Sequence, residues 1–171
     1  MARTTNLDPT VAAWRALRRF QWRLIWLRES KFMIGTTGLV RDDAGRVLLL
    51  RHRFWPVGRQ VGLPGGYAHA GERLEDAVAR EVREEVGLRV EVGHVLRVGS
   101  GFRLRVEVAF AAALADGGPA DGPAGWRLDR REVLAADFYE LSALPPDLMP
   151  NHRRLIQENA DWFQAVRHGA P

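Results

Sequence analysis

Cysteine is absent from all 171 residues, so this chain cannot build a disulfide scaffold, a zinc–thiolate site or a catalytic thiol. The absence fits a reducing compartment, and a cytoplasmic location is the expectation. Lysine is nearly absent as well: Lys31 is the only one, and arginine carries the rest of the positive charge. Long apolar runs are missing, and none approaches the roughly 18 residues that span a bilayer. The opening MARTTNLDPTV has neither the apolar centre nor the small-residue end of a secretory signal. No low-complexity tract argues for disorder.

What remains is the material of a folded domain. Hydrophobic residues make up 46% of the sequence, enough for a core. The net charge of +4 is compatible with phosphate-bearing substrates, nucleic acid or anionic lipid, and alone it selects none of them.

The pattern along the chain predicts a helix over Thr10 to Phe32, started by Asp8-Pro9. A hairpin should follow, with strands Met33–Arg41 and Arg46–Arg53 around the turn Asp42–Gly45. Residues 55–71 read as a Gly- and Pro-rich loop, and a strongly patterned helix runs from about Glu72 to Val86, stopping at Gly87. Two strands are expected at Arg89–Val98 and Phe102–Leu114, then a flexible loop over 116–125, a short strand at Ala135–Tyr139 and a final helix at Asn151–His168. Strands alternating with helices point to an α/β fold, a mixed sheet with helices on its faces. Residues 1–32 form an Arg- and Trp-rich extension and residues 33–171 the main domain.

Chemistry concentrates in Gly66 to Leu88, GYAHAGERLEDAVAREVREEVGL. On a helix, Glu81, Glu84 and Glu85 at spacing i, i+3, i+4 fall within an arc of about 100°. Leu74, Ala77, Val78 and Leu88 lie in or near that arc, so the carboxylates continue an inward apolar stripe. Three like charges so placed repel, and burying them costs several kcal/mol per ion unless something compensates. Hard divalent cations favour such oxygen clusters, completed by water and substrate phosphate. A bare EVREE string alone would read as a solvated acidic face offset by Arg80 and Arg83. The preceding Leu63-Pro64-Gly65-Gly66 shifts that balance, because glycine exposes backbone carbonyls and amides to a ligand.

This stretch resembles the Nudix box, G-x5-E-x7-R-E-U-x-E-E-x-G-U with U a bulky aliphatic. Gly66, Glu72, Arg80, Glu81, Val82, Glu84, Glu85, Gly87 and Leu88 fill every fixed position. The likeness extends to the strand Arg46–Arg51 and to the segment Glu132–Pro146, covering residues 33 to 165. It implies an α/β/α sandwich, with Glu81, Glu84 and Glu85 as ligands of Mg2+ or Mn2+ and the Gly65 carbonyl assisting. Arg80 would orient a glutamate, Glu72 would brace Arg80, and Glu84 is the first choice for the base that takes a proton from water. The implied reaction is cleavage of a pyrophosphate bond in a nucleoside diphosphate joined to another group. Arg51, His52 and Arg53 precede the site, and Arg51, Arg53 and Gly66 are candidates for substrate binding. Relatives often add an acid after the box, for which Glu107 and Glu132 are available; an outward strand residue and a plain loop carboxylate are the slightly favoured readings. His69, at a variable position of the box, reads as a spectator. The family often places an aromatic just before Leu-Pro-Gly-Gly, where this chain has Val61 and Gly62.

Subgroup markers for some ADP-ribose hydrolases (a proline after the box), diadenosine polyphosphate hydrolases (a tyrosine) and isopentenyl diphosphate isomerases (a cysteine) are missing: Arg103 and Arg105 stand at the first two positions. The rival reading is a non-catalytic regulatory module that binds a nucleotide on the same fold; such modules commonly lose a box glutamate, and none is lost here. The expected partner is a small nucleoside diphosphate derivative, with no stable nucleic-acid partner. The N-terminal helix mixes Trp14, Phe20, Trp22 and Trp26 with arginines, too many aromatics to leave in water. Packing on its own domain or on a twin subunit in a homodimer is the first reading. A weak membrane-surface contact through residues 10–32 is the second, and a cover over the substrate cleft the third.

Overall fold

The computed structural model describes residues 9–115 and 125–167. The chain divides into two compact units, one over Met1–Phe32 and one over Met33–Pro171. The expected loop over 116–125 lies outside the described residues except for its last residue, as do Asp8 and His168.

In the first unit, α1 spans Pro9–Arg28 and ends four residues before the sequence pattern suggested. Glu29 still donates its N–H to Ile25 O at 2.8 Å, and the Lys31 ammonium sits 4.3 Å from the Trp26 ring centroid. Trp14, Phe20, Trp22 and Trp26 are all exposed, as are Leu17, Leu24, Ile25 and Leu27. No described helix is long and apolar enough to cross a membrane.

The second unit is built on one mixed sheet of seven strands: β1 (Met33–Arg41), β2 (Val47–His52), β3 (Val61–Gly62), β4 (Gly65–Tyr67), β5 (Val90–Phe102), β6 (Arg105–Leu114) and β7 (Val133–Tyr139). Strand β1 runs parallel to β6, and every other pairing is antiparallel. Period-two alternation gives the sheet two apolar faces. Val40, Leu48, Leu50, Val108 and Phe110 pack with Val78, Val82 and Val86 of α2 (Leu74–Val86). Leu39, Val47, Leu49 and Ala109 pack on the other face with Leu155 and Ile156 of α3 (Pro150–Glu158) and Phe163 of α4 (Ala160–Arg167). The result is a helix–sheet–helix sandwich.

Two departures from the sequence pattern matter. The β1–β2 hairpin opens at once: the two strands pair only at Arg41 with Val47. The segment from Val61 to Tyr67, expected as loop, is wedged into the split. Its first half pairs with Leu50 and Arg51 of β2, and its second half with Gly35, Thr36 and Thr37 of β1. Gly38 N–H donates to Pro64 O at 3.0 Å and ties the crossing point down. The final helix is also broken, at Asn159, whose side chain donates to Leu155 O and whose backbone leaves helical geometry. Helix α2 ends as expected: Gly87 takes φ 75°, a left-handed conformation that costs glycine little, and its N–H caps Arg83 O.

Candidate active site

The wedged segment delivers Gly65 and Gly66 to the side of α2. Gly65 N–H donates to Glu85 Oε2 at 3.1 Å. A Cβ on Gly66 would lie within 2.3–2.6 Å of the Glu81 carboxyl, so that carboxylate occupies the space a side chain would fill. The same two glycines line a cavity of about 330 Å³, with Gly35, Thr36, Trp55, Leu63, Tyr67 and His152 among its walls. Backbone of one short segment therefore touches two box carboxylates and the cavity together.

Arg80 organises one flank of α2. Its guanidinium donates to both Glu72 oxygens (2.8 and 3.1 Å), to Glu81 Oε1 (2.7 Å), to Glu84 Oε2 (3.2 Å) and to Tyr67 O (3.0 Å). The hydrogen bonds from Arg80 and from the His69 backbone hold Glu72 down at about 2. The bond to Glu72 drives the Arg80 pKa up in turn. The bracing expected of Glu72 and Arg80 is present as contacts, and His69 contributes its backbone N–H at 2.8 Å with its ring exposed.

Glu85 lies on the other flank and is almost wholly buried. Burial pushes its pKa well above the ordinary carboxylate range, the Gly65 N–H opposes the rise, and the nearby charges of Glu81, Glu132 and Asp129 add to it. Among the described residues no arginine or lysine pairs with it. Its nearest basic neighbour is His52, with Nδ1 3.9 Å from Oε1. His52 is itself buried, which lowers its pKa to about 4 and leaves the ring neutral.

The three glutamates do not share one environment. Glu85 is buried and Glu81 largely covered, whereas the Glu84 side chain is 57% exposed. Glu84 therefore does not continue the inward stripe: it lies about 100° from Glu85 on the wheel and its side chain opens to solvent, although Ala77 two turns earlier on the same side is buried. As they stand, no three of the described acidic or imidazole side chains converge into a metal-binding set. The chemistry of the donors nonetheless fits a hard cation. Three carboxylates fall within an arc of about 100° of α2 with Gly65 of β4 against Glu85, and Glu85 is desolvated among like charges with no cationic side chain on it.

Several residues stand elsewhere than the sequence suggested. Arg51 is held by Asp147 at 2.7 Å, and Arg53 is exposed and donates to Arg130 O; neither lines the cavity. Glu107 does line it, on the sheet face opposite α2: its carboxylate covers Gly35, and Arg105 pairs with it. Glu132 is close enough to Glu85 to act on its charge, and so is Asp129, which the pattern did not single out.

Trp55 and His152 also escaped the sequence reading. Trp55 stacks on His52 with centroids 3.9 Å apart and planes 13° apart, and meets His152 edge-on at 5.7 Å. A Cβ at Gly62 would clash with both rings, so glycine stands there because Trp55 covers it. The aromatic missing before Leu-Pro-Gly-Gly is thus supplied from six residues upstream of Val61. His152 accepts the Leu63 N–H on Nδ1 at 3.0 Å and is lowered to about 4 by burial.

Comparison with known proteins agrees with this architecture. A family model described as NUDIX domain matches residues 31–158. The NAD-capped RNA hydrolase NudC of Klebsiella pneumoniae is 38% identical over 130 residues, which cover 73% of this chain and 46% of that protein. An ADP-ribose pyrophosphatase of Methanocaldococcus jannaschii is 28% identical over 134 residues, covering 75% of this chain and 73% of that protein. The chain spans about half the length of the NudC relative. Among solved structures, a NUDIX hydrolase from Nitrosomonas europaea superposes with a TM-score of 0.66 at 22% identity, covering 84% of this chain and 77% of that one, a likeness of fold. A model matched across three quarters of the sequence, a complete box and a sandwich with the box on its loop and helix make this chain a member of the NUDIX domain family.

Proposed function

We propose that the chain is a pyrophosphohydrolase that cleaves the phosphoanhydride bond of a nucleoside diphosphate joined to a second group, using Mg2+ or Mn2+ held by Glu81, Glu84, Glu85 and the Gly65 carbonyl. One observation carries this reading: Gly65 and Gly66 touch Glu85 and Glu81 while lining the cavity, so a diphosphate seated there meets the carboxylate edge. When bound, a divalent cation neutralises diphosphate charge and acidifies water. The chain's own groups do the rest. Arg80, locked by Glu72, fixes Glu81 and Glu84. Glu84, the exposed member, takes the proton as water oxygen attacks phosphorus; the bridging P–O bond breaks, and a nucleoside monophosphate and a second phosphate-bearing product leave. NAD and ADP-ribose, named for the two relatives, both join ADP to a second ribose through the diphosphate, which places such dinucleotide-like compounds first among substrates.

The test is a panel of ADP-ribose, NADH, a sugar nucleotide, a diadenosine polyphosphate and nucleoside triphosphates, with Mg2+ or Mn2+. Nucleoside monophosphate should appear from at least one compound, and Glu84→Gln should remove most of the rate. Binding without turnover across the panel would instead support the regulatory module.

For α1, the exposed tryptophans support a cover in the working protein, first a second copy of the chain and then an anionic membrane surface matched to Arg18, Arg23 and Arg28. Sedimentation velocity and liposome co-sedimentation at low and high salt separate the two.

A further inference from the structure

We infer that His52 is a positioning residue: its Nδ1–H holds Glu85 Oε1 so that this carboxylate presents itself to the cation. The inference rests on the cation-dependent reading above. It starts from an imbalance at Glu85. Oε2 has a donor in Gly65 N–H, whereas Oε1 accepts no hydrogen bond from any described residue, although the side chain is buried. Among the described residues the donor-bearing ring recorded against Oε1 is His52, 3.9 Å away, and a shift of about 1 Å brings the pair to hydrogen-bond distance.

The tautomer follows from the other ring nitrogen. His52 Nε2 is buried and has no partner. A neutral imidazole carries one N–H. On Nε2 that proton would be an orphaned buried donor; on Nδ1 it faces a carboxylate and leaves Nε2 as a bare lone pair, the cheaper defect. The ring is also fixed from several sides. The His52 backbone N–H donates to Gln60 O at 2.8 Å, its strand pairs it with Val133, and Trp55 stacks flat on its face. Trp55 is braced in turn by His152 and by the bare backbone of Gly62. A donor held this rigidly narrows the rotamers open to Glu85, which is how groups behind a ligand raise metal affinity.

Manganese binding by the full chain, read from the free-ion electron paramagnetic resonance signal, tests this without turnover. His52→Phe keeps the stack on Trp55 and removes the donor. His52→Asn restores an N–H near the Nδ1 position. We expect His52→Phe to weaken Mn2+ binding about 10–100-fold without lowering the melting temperature in EDTA, and His52→Asn to recover most of the loss. Equal affinity in wild type and His52→Phe overturns the inference, as does an equal loss in both variants, which would mark a packing effect. A long-range 1H–15N spectrum of the Mg2+-loaded wild type gives an answer independent of any variant: Nδ1 protonated and Nε2 bare supports the assignment, and the reverse tautomer overturns it. Wild type that binds no Mn2+, or Glu85→Gln that binds it as tightly, overturns the cation reading itself and this inference with it.

Discussion

The two flanks of α2 carry the same kind of residue in opposite electrostatic states. On one, Glu72, Glu81 and Glu84 share the guanidinium of Arg80, so each carboxylate has a cationic partner inside the chain. On the other, one turn along, Glu85 is buried beside His52 with only a backbone N–H to hold it. Ion pairing of the first kind fixes geometry. Uncompensated burial of the second kind destabilises the empty protein and is relieved when a cation arrives. The paired and the unpaired carboxylates thus share an arc of about 100° on one helix, with Glu81 between Glu84 and Glu85.

The sharpest way to break this contrast is Glu85→Gln. Turnover should fall on the order of 10³-fold if the cation contributes several kcal/mol to the reaction. The empty protein should respond in the opposite direction. A carboxyl whose pKa is raised on folding contributes stability below its unfolded value and loses it as pH rises through the folded value. At neutral pH with EDTA the charged form is a burden, so Glu85→Gln should melt higher than wild type. A lower melting temperature would show that Glu85 is already compensated.

Arg80→Met attacks the other flank and should show the reverse pattern in stability. It leaves Glu72, Glu81 and Glu84 mutually repelling and the Tyr67 carbonyl without its donor. The melting temperature at neutral pH should drop by on the order of 5 °C. Glu72, held at about 2, contributes stability above the ordinary carboxylate range that is lost as pH falls through 2. Arg80→Met removes that contribution, so its deficit against wild type should shrink in acid. Adding Glu72→Gln should recover part of the loss at neutral pH.

A third probe reads the ring column behind Glu85. His52 and His152 are both lowered to about 4 by burial, against 6.5 when unfolded. A depressed histidine costs nothing above pH 6.5 and destabilises the fold as pH falls from there towards 4. Each contributes at most about 3 kcal/mol over that window. Unfolding free energy should therefore slope downward below pH 6.5, and His152→Phe should flatten the slope by about half. An unchanged slope would show that the ring is not buried neutral.

How much of this was written in the sequence depends on how local the cause is. The spacing from Gly66 to Leu88 is local, so α2 and its cap at Gly87 could be read directly, and the Arg80–Glu72 contact followed from the resemblance to the Nudix box. The open hairpin could not: whether β1 and β2 stay together depends on Val61–Tyr67 entering between them, and turn residues 42–45 look the same either way. The His52–Trp55–His152 column joins residues almost a hundred positions apart and leaves no periodicity to detect. One weak signal existed. Trp55 is a large aromatic between Arg53 and Arg59 in a segment that otherwise reads as turn, and it alone of Phe54-Trp55-Pro56-Val57 is partly covered. Arginine was the most misleading residue type, because a basic strand end before a phosphate site suggests substrate whether or not the side chain reaches it.

Arg51 and Arg53 supply the smallest expected effect. The Arg51 guanidinium is tied to Asp147 with both side chains partly exposed, a pair worth about 0–1 kcal/mol. Arg53 is exposed and spends a donor on the Arg130 carbonyl. Neither belongs to the walls that contain Gly65 and Gly66. Arg51→Ala and Arg53→Ala should therefore leave kcat within about twofold and KM within about threefold, since a lost phosphate contact of about 1.4 kcal/mol would already shift KM tenfold. Should Arg53→Ala raise KM tenfold with kcat unchanged, the diphosphate would have to extend past the glycine segment toward the β2 end. The neutral ring of His52 would then lie under substrate as well as beside Glu85, and the division between the two flanks of α2 would be less clean than the ion pairs make it.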